Sequence, residues 1–213
     1  QLARERGGYL PPEEAFDVAI QSAEGLQAIH DVGIINRDLK ASNIMRDPGG
    51  RVRLMDFGIA KIEGGDRGGS GGVLTMDGQI MGTPEYMSPE QCLGDRIDHR
   101  SDIYALGIVI YEIFTGTVPF RGDTPVATLF KHIQDPVPFD GLPAARIPLP
   151  AVPVLRKALA KNRADRYAAA SEAAEALRRA QQKALSGEGE DAAPTSRLAR
   201  VPAPGVGEVP PTP

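Results

Sequence analysis

The sequence predicts a mainly α-helical domain with one short β-hairpin and a disordered C-terminal tail. Three observations predict it. Apolar residues recur at helical spacing through most of the first 184 positions, a single stretch alternates apolar with polar residues about a turn, and the last stretch lacks the means to bury a core. From Ser186 onward there are six prolines, four glycines and no aromatic residue, so residues 185–213 read as a tail or linker and 1–184 as the folded domain.

Taken in order, residues 1–10 are a polar lead-in. Pro11-Pro12-Glu13-Glu14 is a helix start, with proline tolerated and acidic groups favoured in the first turn. Phe16, Ile20, Ala23, Leu26 and Ile29 continue it at helical spacing, and Gly33 sits where a C-terminal cap belongs. His30 reads as a helix-end residue serving packing or the dipole. Ile44-Met45-Arg46, the turn residues Asp47-Pro48-Gly49-Gly50 and the alternating Val52-Arg53-Leu54-Met55 form the hairpin signal. The glycine cluster from Glu63 to Gly72 has neither the strand before nor the helix after that a phosphate cradle needs, and reads as a flexible loop.

Gly82 to Glu90 is turn-rich and enters a short helix. Ser101 to Thr115 is apolar nearly all round, which predicts a buried central helix with Asp102 buried in its first turn and in need of partners. Asp123-Thr124-Pro125 caps a helix over about 126–133, and a proline-studded connection leads to another around 154–161. An alanine-rich helix over about 168–184 closes the domain.

Composition narrows the function. At 213 residues, 41% hydrophobic and 24% charged, the chain holds one good-sized domain with appendages, and a net charge of -4 argues against nucleic acid as a partner. A lone cysteine, Cys92, rules out an internal disulfide framework. No apolar core follows Gln1–Arg6 to make a signal peptide, and the longest apolar run, Ile103–Ile110, is far short of the ~20 residues that span a bilayer. A cytoplasmic location is therefore expected, with no membrane segment in the chain.

The chemistry concentrates between Ile34 and Gly58. Asp38 sits in a charged loop, Asn43 follows five positions later, and Asp56 stands just after the second hairpin strand. A hairpin brings its ends together, so Asn43 and Asp56 are expected as neighbours. Oxygen-bearing side chains converging beside an acidic one suit magnesium and phosphoryl transfer, a chemistry made mostly of positioning and charge neutralisation.

Six stretches then appear in one order: Asn36-Arg37-Asp38-Leu39-Lys40-Ala41-Ser42-Asn43, Asp56-Phe57-Gly58, Gly82-Thr83-Pro84-Glu85-Tyr86-Met87, Ser88-Pro89-Glu90, Ser101-Asp102-Ile103-Tyr104-Ala105-Leu106-Gly107 and Asp165-Arg166-Tyr167. Together they resemble the C-terminal lobe of the protein kinase fold, of the bacterial Ser/Thr type, over about residues 9–180. The resemblance implies ATP and Mg2+ as cofactors and proteins carrying Ser or Thr as substrates. It makes Asp38 the acceptor of the substrate hydroxyl proton, Lys40 the cation on the transferring phosphoryl group, and Asn43 and Asp56 the magnesium holders. Thr83 is expected to position the acceptor and bridge Asp38 and Lys40, Asp102 to brace the catalytic-loop backbone, and Arg166 to pair with Glu90. Arg37 before Asp38 implies switching by phosphorylation of the loop between the motifs, with autophosphorylation expected at Thr75, Ser70 second, and Asp77 supplying some permanent negative charge.

Two departures from the family pattern stand out. Asn36 occupies the place of the usual histidine, which implies weaker assembly of the active state. The Gly-rich loop, strand lysine and helix glutamate of the N-terminal lobe are absent from these residues, so the chain is expected to hold half of an ATP site and to bind no detectable nucleotide alone. The alternative function is a kinase-like lobe that docks partners without phosphoryl transfer. The four retained residues Asp38, Lys40, Asn43 and Asp56 favour the enzyme.

Overall fold

The computed structural model of the chain describes residues 9–56, 82–141 and 146–186. Among them, α1 (Pro12–Asp31) is followed by β1 (Ile44–Arg46), β2 (Val52–Leu54), α2 (Pro89–Leu93), α3 (His99–Thr115), α4 (Pro125–Gln134), α5 (Val152–Ala158) and α6 (Ala170–Ser186). The described chain is mainly α, with one two-stranded sheet. The glycine cluster, Ser70, Thr75, Asp77 and the tail after Ser186 lie outside the described residues.

Helix α3 is the centre. It is buried continuously from Ser101 to Tyr111, as a helix without a polar face has to be. Asp98 caps it by accepting the Arg100 N–H at 2.9 Å. Helix α1 lays Phe16, Ala19, Ala23 and Leu26 against the same core, with the Phe16 ring edge-on to Phe114 at 5.2 Å. Helix α6 packs on α1, and α5 packs on α3.

The end of α1 decides where the next loop begins. Gly33 takes φ +76, its N–H donates to the His30 carbonyl at 2.9 Å and that of Ile34 to the Ile29 carbonyl at 3.2 Å. This is a Schellman closure, which needs a left-handed residue and so favours glycine. It turns the chain from α1 straight into the Ile34–Asn43 loop.

The hairpin pairs Ile44 with Leu54, Met45 with Arg53 and Arg46 with Val52. Gln21 of α1 ties it down, accepting the Val52 N–H at 2.9 Å and donating to the Gly50 carbonyl at 3.2 Å. Ile44 and Leu54 therefore turn toward α1, and the alternate residues Met45 and Met55 stay exposed.

Helix ends differ from the sequence expectation by a turn or less. The helix expected over 154–161 starts at Val152, because Pro153 sits in a first turn where its missing N–H costs nothing. It stops at Ala158, where Leu159 and Ala160 close the last turn on Leu155 and Lys157. The alanine-rich helix runs two residues later than expected, to Ser186, inside the stretch read as tail.

Candidate active site

The hairpin brings the two expected metal holders close. Its ladder extends past the strands, with the Met55 N–H donating to the Asn43 carbonyl at 2.8 Å, so Asp56 is one residue beyond a position opposite Asn43. Asn43 is buried and its Nδ2 donates to the Asp38 carbonyl at 3.0 Å. That bond orients the amide and leaves Oδ1, which accepts from Ser42 Oγ at 3.2 Å, as an oxygen donor. Asp56 is exposed and has a left-handed φ of +51.

Lys40 is the hub of the loop. Its Nζ donates to Asp38 Oδ2 at 2.9 Å and to Thr83 Oγ1 at 3.4 Å. Lys40 thus lies between Asp38 and Thr83, where the sequence reading had Thr83 as the bridge. Asp38 and Lys40 keep about a quarter of their side chains exposed, at 27% and 25%, so both remain accessible to a reactant.

The loop is suspended from α3. Asp102, 1% exposed, accepts the Asn36 N–H on Oδ2 and the Arg37 N–H on Oδ1, both at 2.8 Å. Its expected need for partners is met by the backbone on either side of the Asn36–Arg37 bond. Arg37 has φ +64, a left-handed conformation that costs a non-glycine residue on the order of 1 kcal/mol or more and persists only when its surroundings hold it. The Asp102 carboxylate on its N–H and Gln91 Nε2, donating to its carbonyl at 3.1 Å, are what hold it.

Asn36 is fully buried, and its Oδ1 accepts the Asp38 N–H at 3.1 Å. It therefore keeps one hydrogen bond, spent on the residue that the loop presents. Its Nδ2 has no partner among the described residues.

Glu90 and Arg166 form a buried fork: Nη1 to Oε1 at 2.7 Å and Nη2 to Oε2 at 2.8 Å, with Ser101 Oγ donating to Oε1 at 2.5 Å. Burial by itself raises the Glu90 carboxyl, but the Arg166 guanidinium and Ser101 hydroxyl outweigh it and hold it below its ordinary value. This fork fastens α2, and with it the Thr83–Ser88 passage, to α3 and the Arg163–Arg166 turn.

Three features escaped the sequence reading. His30 Nε2 bonds Asp102 Oδ2 at 2.9 Å, so this histidine belongs to the brace and not merely to a helix end. Tyr86 donates to Glu112 Oε2 at 2.5 Å, and burial followed by that carboxylate pushes its phenol well up. Met45 and Met55 are exposed on the hairpin face that also carries Arg53, opposite Met45; the period-2 pattern of the strands was the available signal for them. Nothing local pointed to the other two.

The profile of the protein kinase domain matches residues 1–178. The probable serine/threonine-protein kinase PknB of Corynebacterium glutamicum is 44% identical over 183 residues, covering 84% of this chain and 28% of that protein. The PknB of Mycobacterium tuberculosis is 41% identical over 169 residues, covering 78% of this chain and 26% of its own. The serine/threonine-protein kinase pkn3 of Myxococcus xanthus is 43% identical over 159 residues, 72% of this chain and 29% of that one. The chain thus spans between 26% and 29% of the length of these relatives.

Proposed function

The chain belongs to the protein kinase family, and on that premise we propose that it is the catalytic-loop lobe of a protein serine/threonine kinase, transferring the γ-phosphoryl group of ATP to a Ser or Thr hydroxyl. The observation that carries this reading is the Asp38–Lys40–Thr83 chain, in which Lys40 joins a carboxylate two residues before it to a hydroxyl 43 residues away. A loop carboxylate with only a structural role has no physical need for that convergence.

Asp38 accepts the proton of the substrate hydroxyl and orients its oxygen for attack. Lys40 neutralises charge on the transferring group from the position where it now pairs with Asp38, and Thr83 steadies Lys40. Asn43 Oδ1 and the Asp56 carboxylate are hard oxygen donors and fit magnesium; they are the residues that would hold it, and magnesium there supplies charge neutralisation for the phosphates. Arg37, with an exposed side chain next to Asp38, is the partner proposed for a phosphate at Thr75, with Ser70 the second acceptor.

The test is phosphoryl transfer from ATP and Mg2+ to a Ser/Thr-bearing protein, catalysed by this lobe joined to the N-terminal lobe of a related kinase. Asp38→Asn is expected to lower kcat by roughly 10²–10⁴-fold, the contribution of a positioned base. Transfer that survives the substitution undiminished refutes the assignment.

A further inference from the structure

Two side-chain amides converge on the peptide unit that carries Asp38. Its N–H end is held from within the loop, where Asn36 Oδ1 accepts the Asp38 N–H at 3.1 Å. Its carbonyl end is held from outside, where Gln91 Nε2 of α2 donates to the Arg37 carbonyl at 3.1 Å across 54 positions of sequence. The preceding peptide unit is fixed by Asp102, which accepts the Arg37 N–H on Oδ1 at 2.8 Å. Arg37 itself is left-handed, at φ +64, so the turn that delivers Asp38 persists only while its surroundings hold it.

Gln91 does two jobs with one side chain. Its Oε1 accepts the Ser88 N–H at 2.9 Å while Ser88 Oγ accepts the Gln91 N–H at 3.4 Å, which is the capping box of α2. A capping box requires only the accepting oxygen, and a glutamate meets that need as well as a glutamine. The amide nitrogen is the part the cap leaves over, and it is directed at the loop of Asp38. The neighbouring Glu90 is forked to Arg166, so α2 is a fixed base from which Gln91 reaches. Ser88 closes the passage that begins with Thr83, the partner of Lys40. One primary amide thus joins the backbone of that passage to the backbone that presents Asp38.

From this juxtaposition we propose that Gln91 is a positioning residue for phosphoryl transfer. It fixes the Arg37–Asp38 peptide plane, and so the direction of the Asp38 carboxylate, in register with the passage that holds Thr83. The inference rests on the assignment of Asp38 as the base. Gln91 touches no reactant, so its contribution belongs to the rate of transfer and not to the binding of either substrate. The side chain is half-buried and the bond is a single neutral one, so its loss is worth several-fold in rate and not orders of magnitude.

Gln91→Glu separates the two jobs, because a carboxylate keeps the cap and sets an oxygen against the Arg37 carbonyl. In the 213-residue chain, amide NMR of this variant is expected to show faster solvent exchange at Asp38, with the Ser88 amide still protected and Tm unchanged. In the lobe joined to the N-terminal lobe of a related kinase, kcat is expected to fall about five- to tenfold with KM for ATP and for the protein substrate unchanged. Gln91→Ala removes both bonds, so it loses kcat to a similar extent and lowers Tm as well. Unaltered exchange at Asp38, an undiminished kcat in Gln91→Glu, or a loss of kcat that comes only with a fall in Tm or a rise in KM overturns the proposal. Asp38→Asn in the same joined enzyme keeps the two readings apart. Loss of activity there with none in Gln91→Glu removes the role of Gln91 alone, whereas undiminished activity in Asp38→Asn removes both.

Discussion

Acidification should destabilise this lobe through one residue, His132. It is fully buried in α4, with Nδ1 3.0 Å from the Tyr104 hydroxyl and its ring edge-on to Phe120 at 4.9 Å. Burial, then the nearby Lys161 cation, push its imidazole down from 6.5 to about 3, with the Glu85 backbone opposing weakly. The folded value lies below the unfolded one, so the unfolded chain takes up the proton first. Stability is whole above the unfolded value and is lost as pH falls from about 6.5 toward 3. Between pH 7 and pH 5 the loss works out at about 2 kcal/mol, which lowers a urea midpoint by about 1 M. Lys161 itself, depressed to about 8 by burial, stays protonated across that interval and adds no slope. His132→Asn keeps a polar group for Tyr104 and cannot titrate. Urea unfolding of both proteins at pH 7 and pH 5 is the assay, and the variant is expected to lose most of the pH-dependent drop whatever its absolute stability. An equal drop in both proteins refutes the reasoning.

Other perturbations probe the site and its frame. Asp102→Asn replaces one accepting oxygen with an amide that cannot accept from both Asn36 and Arg37, so the loop shifts and kcat falls by about 10²-fold with the fold retained by circular dichroism. Arg166→Ala leaves Glu90 buried and unpaired, and a loss of about 3–5 kcal/mol is expected in urea unfolding. Gly107→Ala drives a methyl to within 2.9 Å of Leu159 Cδ2 and 3.2 Å of Ala158 Cβ, where α5 meets α3. That overpacking costs about 1–3 kcal/mol, read as a fall in Tm of a few degrees.

Much of the fold was legible because its signals are local. The Ser88 and Thr124 caps each act within three residues, Ser88 through a capping box with Gln91 and Thr124 by accepting the Ala127 N–H at 3.1 Å. The hairpin register followed from alternation around Asp47–Gly50, and the burial of α3 from its lack of a polar face. Helix ends slipped by a turn because first and last turns obey cap geometry more than apolar periodicity.

Groups that sit close along the chain are legible from residue order alone. Asp38, Lys40 and Asn43 span six residues, and the pairing of Asn43 with the approach to Asp56 follows from one short turn. The family resemblance extended that to the distant partners of Asp102 and Arg166. The role of His30 comes from packing between distant segments. A helical period tells which way a residue faces but carries no information about a carboxylate 72 positions on, and it is the packing of α1 against α3 that sets this ring on Asp102. The tertiary structure also set Lys40, not Thr83, in the middle of the Asp38–Lys40–Thr83 contact. Contacts between segments are set by the shape and burial of whole elements, and a linear pattern does not encode them residue by residue.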